Sequence, residues 1–180
     1  MRPSNLITAA ALMLATIGAS VPALAQRPAA SDALAAFAGS LTALPDPQSL
    51  TAKGAVFAPA YSAVRTGTGK GKLEFAVTLS IRNLSEDKPL VLERIDYIDT
   101  AGKLVEKYLA QPVAIRPLAA VEIFLPKEDT RGGSSAGFIV GWAAAAPIAE
   151  PVIETVMMSS QGNFSWSFVS PGRPVRLLGR

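Results

Sequence analysis

The residues best equipped for chemistry in this sequence lie in one run, Lys127-Glu128-Asp129-Thr130-Arg131-Gly132-Gly133-Ser134-Ser135. Glu128 and Asp129 offer acceptors, Arg131 a planar fork of donors, and Ser134 and Ser135 hydroxyls that both donate and accept. Gly132 and Gly133 permit positive φ and the close approach of another backbone. The chemistry these groups can support is limited by what the chain lacks. Its 180 residues contain no His and no Cys. Without an imidazole or a thiol there is no Ser-His-Asp relay and no cysteine nucleophile. There is also no nitrogen or sulfur ligand for zinc or copper, so any metal site would need oxygen ligands alone. The sequence assigns no catalytic residue, no metal ligand and no cofactor. If one binding site is to be named, it is Glu128, Asp129, Arg131, Gly132, Gly133, Ser134 and Ser135. The competing reading is a solvated connection whose glycines only make turns.

Other groupings are weaker. Glu150 and Glu154 stand four apart across Pro151, and nothing in that spacing makes them face each other as glycoside hydrolysis requires. Asp99 opens an Asp-Thr-Ala-Gly turn ending at Gly102, while Asp96 reads as a solvated position. The run Thr66-Gly67-Thr68-Gly69-Lys70-Gly71-Lys72 has glycines and lysines but no phosphate-loop spacing, and a strand rather than a helix follows it. The loop at 128–135 also lacks the regular acidic spacing of a calcium loop.

The elements that must hold these residues read as strands. Leu73, Phe75, Val77, Leu79 and Ile81 alternate with polar or small neighbours, the pattern of a strand with one face in a core. Val56 to Val64 reads as a first strand, with Pro59 marking an edge or bulge. Leu90 to Thr100 is a strand with a bulge near Glu93-Arg94, and Lys103 to Leu109 is its hairpin partner. Val121, Ile123 and Leu125 form another face, as do Phe138, Val140 and Trp142. Val152 to Ser159 and Phe164 to Ser170 complete the set. Phe164, Trp166 and Phe168 recur at period two and are expected in the core. Seven or eight short strands, frequent turns and no long helix give an all-β fold, an immunoglobulin-like β-sandwich, with a small closed β-barrel as the alternative.

The ends read differently. Residues 1–25 carry Arg2, an apolar run from Leu6 to Ala19 and the small-residue site Ala23-Leu24-Ala25, the features of a secretory signal peptide. The run is shorter than the roughly 20 apolar residues a spanning helix needs, so no stable membrane span is expected after cleavage. Residues 26–50 form an Ala/Pro-rich linker in which Ser31-Asp32 caps a short helix, Ala33 to Leu44, and 51–170 form the sandwich. A basic tail, 171–180, is expected to be disordered. Seventeen Lys and Arg against fourteen Asp and Glu, with no cationic cluster, point away from nucleic acid.

Five segments in order carry a resemblance: Pro59-Ala60-Tyr61-Ser62; Val77-Thr78-Leu79-Ser80-Ile81-Arg82-Asn83; Asp96 to Val105; Asp129 to Phe138; and Glu150-Pro151-Val152-Ile153-Glu154. Together they resemble the bacterial domain of unknown function 3124 over roughly residues 54–170. The resemblance implies a small exported β-domain, brings no established activity and supplies no catalytic residues. The family loop often reads Gly-Gly-Ser-Gly-Ala-Asn-Phe. Ser135 and Gly137 replace its later Gly and its Asn, so no role passes to an Asn side chain.

The resulting expectation is an exported, non-catalytic binding or accessory module, periplasmic or secreted, with an unknown protein or envelope component as partner. The alternatives are a carboxylate-based hydrolase and an oxygen-ligand calcium-binding domain. The signal segment gives a direct test. Mass spectrometry of the exported protein should find Gln26 at the mature N-terminus, and intact Met1 on membrane-held protein would contradict it.

Overall fold

The structure is a computed structural model that describes residues 33–176. The signal segment 1–25, the first part of the linker with its Ser31-Asp32 cap, and residues 177–180 of the tail lie outside the described residues. Two 3-10 turns, Ala35–Ser40 and Pro47–Ser49, precede most of the strands. The strands are β1 (Leu41–Thr42), β2 (Ala52–Ala60), β3 (Ala63–Thr66), β4 (Gly71–Glu74), β5 (Ala76–Arg82), β6 (Leu90–Ile98), β7 (Leu104–Lys107), β8 (Val113–Ile115), β9 (Ala120–Leu125), β10 (Ala136–Ala144), β11 (Val152–Gln161), β12 (Phe164–Pro171) and β13 (Arg173–Pro174).

Two antiparallel sheets face each other. The first runs β1-β8-β6-β10-β2-β13, with β7 also on β6, and the second runs β12-β11-β5-β9. Neither closes into a barrel. The fold is therefore an all-β sandwich, with more strands than seven or eight because several pieces are only two to four residues long. Its core lies between the inner rows of the two sheets. Val77, Leu79 and Ile81 of β5 and Val121, Ile123 and Leu125 of β9 are buried, facing Phe138, Val140 and Trp142 of β10. In the first sheet Phe138 stands opposite Ala58 and Tyr97, and Val140 opposite Val56 and Ile95. The imperfect alternation in β6 is a real bulge. Gly141 pairs with Arg94 but Trp142 with Leu92, so Glu93 is the extra residue. That insertion returns Ile95 and Tyr97 to the inner face shared with Leu92. The Asp99 turn also forms as read, with Oδ1 accepting from the backbone N–H groups of Ala101 and Lys103 and Gly102 at φ +78°.

Four expectations change. The stretch expected as one strand from Val56 to Val64 is broken at Tyr61-Ser62, and the strand from Leu73 is broken at Phe75. The pieces beyond the breaks, β3 and β4, pair with each other as a separate hairpin. Phe75 N–H donates to the Ser62 carbonyl at its root, at 2.9 Å. The helix expected from Ala33 to Leu44 is a short 3-10 turn followed by β1. Leu34 is buried there, Phe37 and Leu41 pack on the core, and β1 pairs with β8, so contacts to the domain override local helix propensity. The tail is ordered as far as 176: Arg173 and Pro174 pair with Phe57 and Val56, and Val175 N–H donates to Ala55 O.

The fourth change matters most. Phe164, Trp166 and Phe168 are not core. They are 70%, 40% and 36% exposed. Their alternation was read correctly, because Phe168 stands opposite Met157 and Trp166 opposite Ser159, both inward-facing on β11. β2 ends at Ala60, and the β11–β12 hairpin runs on past it. Thr155 Oγ1 donates to the Pro59 carbonyl, tying the two sheets together near the point where cover stops.

The packing around Trp142 can be tested. A Cβ at Gly54 would come within 2.5 Å of its ring, so the glycine is required by the indole. Trp142→Ala should cost about 3–5 kcal/mol and Gly54→Ala about 1–3 kcal/mol. The double variant should cost less than the sum, because the added methyl fills space the ring has left. Strict additivity in denaturant titrations would show that the two do not touch.

Candidate functional site

The uncovered face of β12 forms one wall of a cleft of about 990 Å³. Trp166 and Phe168 supply that wall, and the β3–β4 hairpin supplies the other through Val64 and Leu73, with Tyr61 and Phe75 at its root. Phe168 meets Phe75 edge-on at 5.3 Å and Tyr61 at 6.2 Å, while Phe164 stacks on Trp166 at 6.1 Å. Cross-strand pairing explains the apolar hairpin wall. Val64 stands opposite Leu73, so both point to one side, whereas Arg65 and Lys72 stand opposite each other on the other side. The hairpin therefore has an apolar face toward the cleft and a polar face behind it. The polar face borders a second, smaller cleft of about 320 Å³ lined by Arg65, Lys72, Glu74, Thr100, Thr130 and Ser134.

The loop singled out from the sequence lies beside this site, and most of it is structural. Arg131 bonds Asp129 with both ends of its fork, at 2.9 and 3.0 Å, and reaches Glu106 at 2.6 Å. Asp129 is buried, so Arg131 is committed to holding it. A Cβ at Gly132 would overlap the Tyr97 hydroxyl and Ala136. Gly133 adopts φ +77°, which favours glycine. Thr100 Oγ1 donates to the Gly132 carbonyl and accepts from Ser135 N–H. Ser62 Oγ donates to the Gly133 carbonyl at 2.6 Å, fastening the hairpin root to the loop. The glycines thus serve packing within the chain. Ser134 is the loop residue that borders both clefts, and Glu128 is exposed outside their linings.

The other sequence candidates are dispersed. Glu150 lies in the connection before β11, and Glu154 sits on β11 among outward-facing residues. Asp96 pairs with Arg94 at 3.1 Å. Asp87, in the β5–β6 turn, is hydrogen-bonded by Lys88 and then Ser85, which hold its carboxyl below the ordinary value. Among the described residues, no group of three or more Asp or Glu comes together as a metal site, and no helix is long and apolar enough to cross a membrane. The larger cleft has no carboxylate in its lining. Its chemistry is apolar contact and aromatic stacking, with a rim of hydroxyl-bearing residues. Sequence reasoning missed Trp166 and Phe168 as site residues. The available signal was their place in the hairpin that turns at Gly162, with φ +58°, whose second strand ends the second sheet among the described residues.

No curated protein matches the sequence. Among solved structures, the crystal structure of Thermotoga maritima 1070 is similar at 15% identity and a TM-score of 0.40, over 69% of this chain and 96% of that one. The family model of the protein of unknown function DUF3124 matches residues 53–175, spanning every strand from β3 to β13 and nearly all of β2, and the chain belongs to that family.

Proposed function

We propose that this chain is an exported, non-catalytic binding or accessory module of the bacterial periplasm, and that its ligand occupies the cleft between β12 and the β3–β4 hairpin. The observation that carries this reading is the exposed aromatic wall of Trp166 and Phe168 facing Val64, Leu73, Tyr61 and Phe75. Small-molecule and peptide sites are concave and mostly apolar, with a few polar groups that fix orientation. Here Ser134 and Thr66 can fill that role. The lining holds no acid–base pair, which favours binding over hydrolysis. The signal-like N-terminal segment supports the periplasmic address, and the partner class is an envelope component or another exported protein. Outward-facing Phe124 and Val169 on the second sheet are also exposed.

Affinity capture from periplasmic extract, comparing wild type with Trp166→Ala/Phe168→Ala, tests this. The partner recovered by wild type should fall at least about tenfold with the double variant, the scale of losing a central aromatic anchor. The variant should keep a cooperative thermal transition. Equal recovery by both proteins, or none by wild type, would overturn the reading.

A further inference from the structure

The sheet edges of this protein are not alike. In the first sheet, the outer strands β1 and β13 have two residues each, and β13 contains Pro174. In the second sheet, β9 carries Glu122 and packs against the 3-10 turn Ala35–Ser40. The short strands β3, β4 and β7 each carry at least one charge, at Arg65, Lys72 and Glu106. Such features keep edges from pairing with other chains. β12 has none of them. It is eight residues long, pairs with β11 in unbroken register, has no Pro before its last residue and carries no charged side chain. Its other side has no partner strand among the described residues.

We infer that the free edge of β12 is an interface for a second copy of this chain, paired antiparallel across a two-fold axis. The run Phe164-Ser165-Trp166-Ser167-Phe168 reads the same from either end, which selects its own copy as the antiparallel partner, and charge does not oppose it. An edge without charge meets its own copy without like-charge repulsion, and the whole chain carries a formal charge of only +3. With the axis at Trp166, each Phe164 stands opposite the partner's Phe168, and each Ser165 opposite the partner's Ser167. Aromatic rows and hydroxyl rows then meet their own kind, because directly opposed residues share a sheet face. The pairing is isologous, and the other edges are blunted, so assembly stops at two copies instead of growing into a fibre. The joined sheet has eight strands, and the aromatic floor of each cleft continues into the partner. This inference does not rest on the ligand proposed above.

Sedimentation of the full exported chain across a concentration series is the test, with two variants that alter only β12. Wild type should sediment as a dimer. Ser165→Lys/Ser167→Lys places lysine opposite lysine at both positions and should give monomer. Ser165→Lys/Ser167→Glu carries the same number of substitutions but sets opposite charges across the axis, and it should restore the dimer. Circular dichroism checks that both variants fold. A monomeric wild type overturns the inference and leaves the edge to a foreign strand. A dimer that survives the double-lysine change overturns it as well, because the copies then meet elsewhere. Two monomeric variants would overturn the antiparallel alignment.

Discussion

The two sheets of this sandwich are unequal in reach, and the site follows from that mismatch. β11 and β12 continue together after β2 has ended at Ala60, where Tyr61 and Ser62 turn the chain away. A large apolar side chain left in water forgoes roughly 1.5–3 kcal/mol compared with full burial. The chain nevertheless places Phe164, Trp166 and Phe168 on the inner face at this uncovered end. The β3–β4 hairpin recovers part of the cover by bringing Tyr61 and Phe75 against Phe168. The space between hairpin and strand is the cleft. Its shape is fixed by the hydrogen bonds at the hairpin root, Phe75 N–H to Ser62 O and Ser62 Oγ to Gly133 O.

Those bonds give the polar loop at 128–135 a different meaning from the one its composition suggests. Its charged members satisfy each other: Arg131 spans Asp129 and Glu106, and a buried carboxylate must have such a partner. Its glycines fit under Tyr97 and into a positive-φ turn. The loop is a support for the hairpin, and through Ser134 it also reaches the ligand space. Positioning and binding are thus divided between a rigid polar brace and an exposed apolar wall.

Much of the fold was legible in the sequence because period-two alternation reports sheet faces directly. It identified the inner rows of β5, β9 and β10, and even the bulge at Glu93, where the pattern slips by one residue. It could not report how far the facing sheet extends. Alternation at Phe164, Trp166 and Phe168 is the same whether another sheet covers that face or not, so a wall of the cleft was read as core. The breaks at Tyr61 and Phe75 were equally hidden, since both halves of each interrupted run keep strand-forming residues. Leu34 and Leu41 lie in an Ala-rich stretch whose pattern gives no sign that it docks on β8 and the core. The loop at 128–135 was found by its side-chain chemistry, but chemistry alone could not distinguish groups that bind a ligand from groups that bind each other.

The aromatic face of β12 stands open to solvent in the folded protein. Trp142→Phe leaves Trp166 as the single tryptophan, and quenching of its emission by acrylamide at high dilution reads that face directly. Red-shifted emission with ready quenching is expected in the native state. Blue-shifted emission that resists acrylamide until the protein unfolds would place Trp166 in the core and contradict it.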